Sequence, residues 1–198
     1  MKYLYCKILF LLIVSPFYLY SQDIPVRKKQ IVDSLLFDSF QKFLKIDISG
    51  NIETANQALR ISREYDYSQG KARSYFYLAR AFSYLGEYEN SLEFLQLSEK
   101  EPYTAHNADL HSELFRIKGQ IFMYLGLSSA SIKEFRKGLA YVEQIQKQDI
   151  KKQLESLAYE NLSISYKSIG MHDSMLYFLN KNEVLLADPN ATNPSSFL

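Results

Sequence analysis

Three stretches of this chain share one shape: SYLGEYENSLEFL at 83–95, MYLGLSSASIKEF at 123–135 and KSIGMHDSMLYFL at 167–179. Each has a glycine, a small or flexible residue five positions on, and a large apolar residue nine positions on. Gly50 opens a fourth, looser copy, so the four glycines stand 36, 40 and 44 residues apart. A period of this length restricts the fold severely. One unit is too short to bury a core alone, so units must stack and share one.

Counting from each glycine shows what is shared. Five residues on come Ala55, Ser91, Ser131 and Met175, and twelve on come Ser62, Ser98, Gly138 and Asn182. Between them, at nine, stand Leu59, Leu95, Phe135 and Leu179. Upstream, rings recur eleven residues before the glycine (Tyr75, Phe115, Tyr159) and four before it (Phe82, Phe122, Tyr166). Leu78 and Leu162 sit eight before it, where the middle unit has Lys118, and Ala79, Gly119 and Ser163 sit seven before it. Small residues at two turns of one helix let a second approach closely, and the large apolar residue between them fills the shared space.

Helix-period patterning dominates from Gln22 onward, and Gly and Pro together number only 12 of 198 residues. The first helix is expected to turn Ile31, Leu35, Phe40, Phe43 and Leu44 inward and to end at DISGN (47–51). A second helix follows with Ile52, Ala55, Leu59 and Ser62 on one face, then a joint at YSQGK (67–71). Later joints are expected at Gly86, Pro102, Gly126 and Gly170. The tail 188–198, with two prolines and polar turn residues, is expected to stay unstructured.

The order of rings, small residues and glycine resembles the tetratricopeptide repeat, whose signature runs W-x2-L-G-x2-Y, then A-x3-F, then P. Residues 72–102 resemble it best, through Tyr75, Leu78, Ala79, Phe82, Gly86, Tyr88, Ser91, Leu95, Ser98 and Pro102. Residues 112–139 and 156–183 match less fully, with Lys118, Met175 and Asn182 departing from the pattern. The spacing exceeds the usual 34 residues, as in long-repeat variants of that family. The resemblance implies an all-α, right-handed superhelical solenoid of antiparallel helix pairs, with units near 25–66, 72–102, 112–147 and 150–187. It also implies a concave groove lined by the first helix of each pair. Carried over, its lining is Arg73, Phe76, Arg80 and Tyr84, then Arg116, Gln120 and Tyr124, then Glu160 and Lys167. Arginines interleaved with tyrosines suit an acidic or aromatic peptide or protein segment. Phe76, Ile117 and Leu157 stand where the family's carboxylate clamp needs polar groups, which speaks against that specialised role.

MKYLYCK followed by ILFLLIVSPFYLY and Ser21 reads as a secretory signal over 1–21. Its apolar run is shorter than a spanning helix needs and is broken by Pro16, so cleavage after Ser21 is expected. Cys6, the one cysteine, would leave with it. Two of 23 basic residues and none of 22 acidic ones would go, for a mature net charge of −1. Such a chain has no overall attraction to nucleic acid or anionic lipid, and no later segment is apolar enough to span a membrane. The expected location is the periplasmic or extracellular side of a Gram-negative bacterium.

Catalytic signals are weak. His106, Asp109 and His111 do not share one helical face, the Gly70–Lys71 pair lacks an upstream phosphate-loop glycine, and no G-x-S-x-G occurs. Sequons stand at Asn161 and Asn190. No enzyme activity, cofactor or metal is expected. The leading expectation is an exported interaction scaffold, and the second is the sensory region of a membrane-bound regulator or sensor kinase. Leu176, Leu179, Val184, Leu185 and Leu186 crowd the last helix, where a terminal helix needs a polar face, so either a partner, a second copy included, is expected to cover that end or the chain is a shortened form of a longer one.

Overall fold

The computed structural model describes residues 24–187; the expected signal sequence and tail lie outside them. Among the described residues there is no strand. The helices are α1 Val26–Leu44, α2 Ile48–Glu64, α3 Ser68–Tyr84, α4 Tyr88–Lys100, α5 Pro102–Ala105, α6 Ala108–Tyr124, α7 Ser128–Val142, α8 Gln148–Ser168 and α9 His172–Ala187. The all-helical expectation therefore holds. No helix among these residues is long and apolar enough to cross a membrane.

One corner is written five times. Ile46, Asp66, Gly86, Gly126 and Gly170 all have positive φ, between 49° and 78°. At each, the next residue's N–H reaches back five positions: Asp47 to Lys42, Tyr67 to Ser62, Glu87 to Phe82, Leu127 to Phe122 and Met171 to Tyr166, at 2.7–3.0 Å. This is the Schellman ending, which satisfies a helix's last carbonyls and reverses the chain sharply. Short joints of this kind return each helix against the one before it, so α1 packs on α2, α3 on α4, α6 on α7 and α8 on α9.

The corners correct the spacing expected from the glycines. Gly50 is not a corner; it lies in the first turn of α2, where its N–H is capped by Asp47 at 2.9 Å. A Cβ there would meet the Asp47 carboxylate at 2.2 Å, so the glycine serves the cap rather than the turn. Gly70 likewise lies inside α3, against Ser62 and Tyr67, and the joint falls at 65–67 instead of 67–71. With Ile46 as the first corner, the period becomes 40, 40 and 44 residues. Asn51, not Ala55, then aligns with Ser91 and Ser131, and Ser39 aligns with Ala79 and Gly119.

The realigned small positions do more than make room. Ser91 Oγ donates to the Ala79 carbonyl at 2.6 Å and Ser98 Oγ to that of Ala72 at 2.8 Å. Asn51 Nδ2 donates to the Ser39 carbonyl at 2.6 Å, the same bond one unit earlier. Each side chain is buried, so each polar atom needs its partner, and the bond holds the two helices in one register. Buried Glu134 answers Lys118: its carboxylate lies 3.7 Å from Lys118 and 2.7 Å from Lys137. That pairing explains the polar departure in the third unit.

On α1 the buried residues are Val32, Leu36 and Ser39, one position round from the expected face, and Ile31 is 39 % exposed. Ser39 decides the rotation, because the close approach to Asn51 needs a small residue there. Phe40 and Phe43 consequently stand at the rim. α4 ends before Pro102, as expected, but residues 102–105 form the short helix α5 before α6 starts at Ala108.

Ile46 holds a left-handed conformation that a β-branched residue adopts only under strain. It is 66 % exposed, so its side chain contributes little core. Ile46→Gly is expected to stabilise the protein by about 1 kcal/mol. Urea denaturation reads this directly; a loss of stability would show that the side chain packs more than its exposure suggests.

Candidate partner-binding face

The first helices of successive pairs also touch one another: α1 packs on α3, α3 on α6 and α6 on α8. Three of these helices, α3, α6 and α8, carry the residues singled out for binding, and the structure divides those residues sharply.

Arg80 is the centre. Its guanidinium carbon lies 3.9 Å from the Phe43 ring centroid, 5.2 Å from Phe40, 5.3 Å from Tyr77 and 5.7 Å from Phe76. Cation–π attraction to four rings favours this nest. Yet Nε and Nη2 are buried and meet no acceptor among the described residues. Burial pulls the group below the ordinary arginine value, with the Glu113 carboxylate pulling the other way. The same burial raises the Tyr77 phenol.

The flanking arginines are already engaged. Arg73 Nη2 donates to the Tyr103 hydroxyl at 3.1 Å and lies 3.9 Å from Asp109. Burial opposes its charge, but Tyr103 and Asp109 outweigh that and hold it above the usual arginine value. Arg116 donates to the Glu113 carboxylate through Nε and to Gln120 Oε1 through Nη1 at 3.1 Å. The face is therefore a chain of satisfied charges around one unsatisfied guanidinium.

The other expected residues scatter. Phe76 is only 7 % exposed and belongs to the core with Leu110, Leu114 and Ile117, so it is not a lining residue. The α3–α6 contact claims its ring. Tyr84 is 57 % exposed and sets its edge on Phe43, and Tyr124 is 61 % exposed and stacks on Tyr88. Glu160 and Lys167 are exposed on α8, away from the arginines. Beside Arg73 lies a polar cavity of about 410 Å³, bounded by Tyr103, Asn107, Asp109 and the 144–150 segment.

Phe40, Phe43, Tyr77 and Glu113 were not singled out by sequence, although they shape the site. The signal for one of them was present: at a spacing of 40, Phe40 aligns with Arg80 itself. Taking Gly50 as the corner concealed that alignment.

Two weaker sequence signals also resolve. His111 stacks on Tyr141 at 4.4 Å and Asp109 faces Arg73, and among the described residues no cluster could hold a metal ion. Asn161 is buried, its amide donating to the Leu157 carbonyl at 2.6 Å, which closes that sequon to a glycan; Asn190 lies outside the described residues. Comparison with family models finds no match for this chain, and a search of curated proteins finds none either.

Proposed function

We propose that this chain is an exported protein-interaction module whose tetratricopeptide-like helix pairs stack as a right-handed solenoid. The touching first helices form its concave side, and an acidic or aromatic segment of a partner protein lies along them. The observation that carries this reading is Arg80, two of whose guanidinium nitrogens are buried and meet no acceptor among the described residues. Folding strips these donors of water without replacing it, which is costly unless a ligand supplies the oxygen. Arg73, held by the Tyr103 hydroxyl with Asp109 further off, would exchange that bond for a ligand carboxylate, and Arg116 would share its guanidinium between Glu113 and the ligand. The sequence offers no nucleophile or phosphate loop, so the role is binding and not catalysis.

The test is capture from periplasmic extract by the immobilised mature chain, compared with the Arg73→Glu, Arg116→Glu double variant. Wild-type capture should weaken as salt rises, and the variant should lose at least about 90 % of it. Equal recovery by a variant with an unchanged circular dichroism spectrum removes this face from consideration.

A second reading, the sensory region of a membrane-bound regulator or sensor kinase, is favoured by one feature. The outer side of α9 is apolar, as it would be if more protein packed there. A reading frame continuing past Leu198 into an apolar span would support it.

A further inference from the structure

Every second helix hands its outer side to the next first helix through the same columns. Six positions after the corner stand Ile52, Leu92 and Ile132; nine after it stand Ala55, Leu95 and Phe135. The residues at nine are at most 4 % exposed. Tyr75 and Leu78 pack with Ala55, and Tyr159, Leu162 and Tyr166 pack with Phe135 from the same columns of the next helix, whereas Leu95 is met one position earlier in the register, by Leu114 and Ile117 with Leu110.

On α9 these columns hold Leu176 and Leu179, with Leu186 two turns further, at 50, 43 and 47 % exposed. The column sixteen after the corner is 1 % exposed in Val142 and 47 % in Leu186. Phe178, on the inner side, is buried against α8 as its own pair requires. The apolar residues are therefore a prepared interface in the repeat's own register, and not a consequence of α9 being loosely placed. Beside them, Tyr159, Tyr177 and Val184 border a cavity of about 440 Å³.

The opposite end of the array is finished differently. In the columns where α3 carries Leu78 and Phe82, α1 carries Asp38 and Lys42, joined by an ion pair at 2.9 Å. Although Ile31 and Phe37 of α1 are also exposed, these two columns are charged where α9 is apolar, which argues against head-to-tail stacking of copies in the repeat's own register.

We infer that the outer face of α9 is a docking surface for one helix of a partner polypeptide, carrying ring, leucine, small residue and ring at i, i+3, i+4 and i+7. The chemistry is taken from two of the three helices that play this part, in the stripes of Tyr75, Leu78, Ala79 and Phe82 and of Tyr159, Leu162, Ser163 and Tyr166; the third, with Lys118 in the leucine column, departs from it. The inference is independent of the arginine face and survives if that reading fails.

The probe is a hydrocarbon-stapled, fluorescent peptide of residues 150–168, titrated onto the mature chain and followed by anisotropy. Binding in the micromolar range is expected, weakened about 10–100-fold by Leu179→Glu on the protein, the loss expected for one buried leucine. Leu162→Asp in the peptide should weaken it similarly. Leu179 is already exposed, so the protein variant should keep its melting temperature. No binding at 100-fold the expected concentration overturns the inference. So does a dimer by light scattering that Leu179→Glu dissolves, which would give the face to a second copy. Tighter binding by a chain ending at residue 187 would give it to the chain's own tail, and would overturn the inference equally.

Discussion

Phe135→Ala is expected to lower the unfolding free energy by about 3–5 kcal/mol, the range for a fully buried ring. Phe135 is 1 % exposed and joins three elements, packing with Ile132 on α7, Tyr159, Leu162 and Tyr166 on α8, and Phe178 on α9. On its other side lies α6, where a Cβ built on Gly119 would sit 2.5 Å from the ring. Gly119 is thus kept small by Phe135, and the two should couple. Gly119→Ala alone should destabilise by about 1–3 kcal/mol, the overpacking loss exceeding the gain in helix propensity. In the Phe135→Ala background the same change meets open space and should stabilise by up to about 1 kcal/mol. Guanidinium denaturation of the four proteins in the cycle measures this. Simple additivity would mean that α6 and α7 do not meet as described. An array whose units hold only their neighbours should also split here, with a broadened transition in Phe135→Ala and a more stable N-terminal part.

Arg80→Met should separate stability from binding. Methionine keeps the length and the apolar contacts of the arginine stem among Phe40, Phe43, Phe76 and Tyr77 while removing the charge. The lost cation–π attraction works against the variant, and relief from a guanidinium with two buried, unmatched nitrogens works for it. Burial lowers the Arg80 value in spite of the Glu113 carboxylate, in the same sense as its two unmatched nitrogens. Removal should therefore raise stability by about 1 kcal/mol, while partner capture falls at least about tenfold for loss of a charged bond. Thermal melts and capture on the same preparation decide the matter. A destabilised variant that still captures partner would make Arg80 a structural element and move the binding site elsewhere.

The errors in reading the chain have one origin. Gly86, Gly126 and Gly170 do take the left-handed conformation, which made glycine look like the marker of every corner. At Ile46 the backbone hydrogen bonds impose that conformation on a β-branched residue that resists it, and at Asp66 on a residue that tolerates it without marking it as glycine does. Gly50 and Gly70 answer a different need, the closeness of Asp47 and Ser62. The period was legible to within four residues, and four residues are one helical turn. That was enough to preserve the apolar faces of α3 to α9 while misaligning the first unit.

By itself the sequence determined an all-helical chain with a repeated spacing, its rings and small residues in phase. Periodicity is a property of neighbours along the chain, so it survives without coordinates. Only the tertiary structure decided that Phe76 is core, that Arg73 and Arg116 are held by Tyr103 and Glu113, and that Arg80 is left among rings without an acceptor. Those outcomes depend on which side chains a neighbouring helix brings within a few ångströms. Whether a charge is satisfied is a matter of distance in space, and residues 37 apart, such as Phe43 and Arg80, carry no local sign that they will meet.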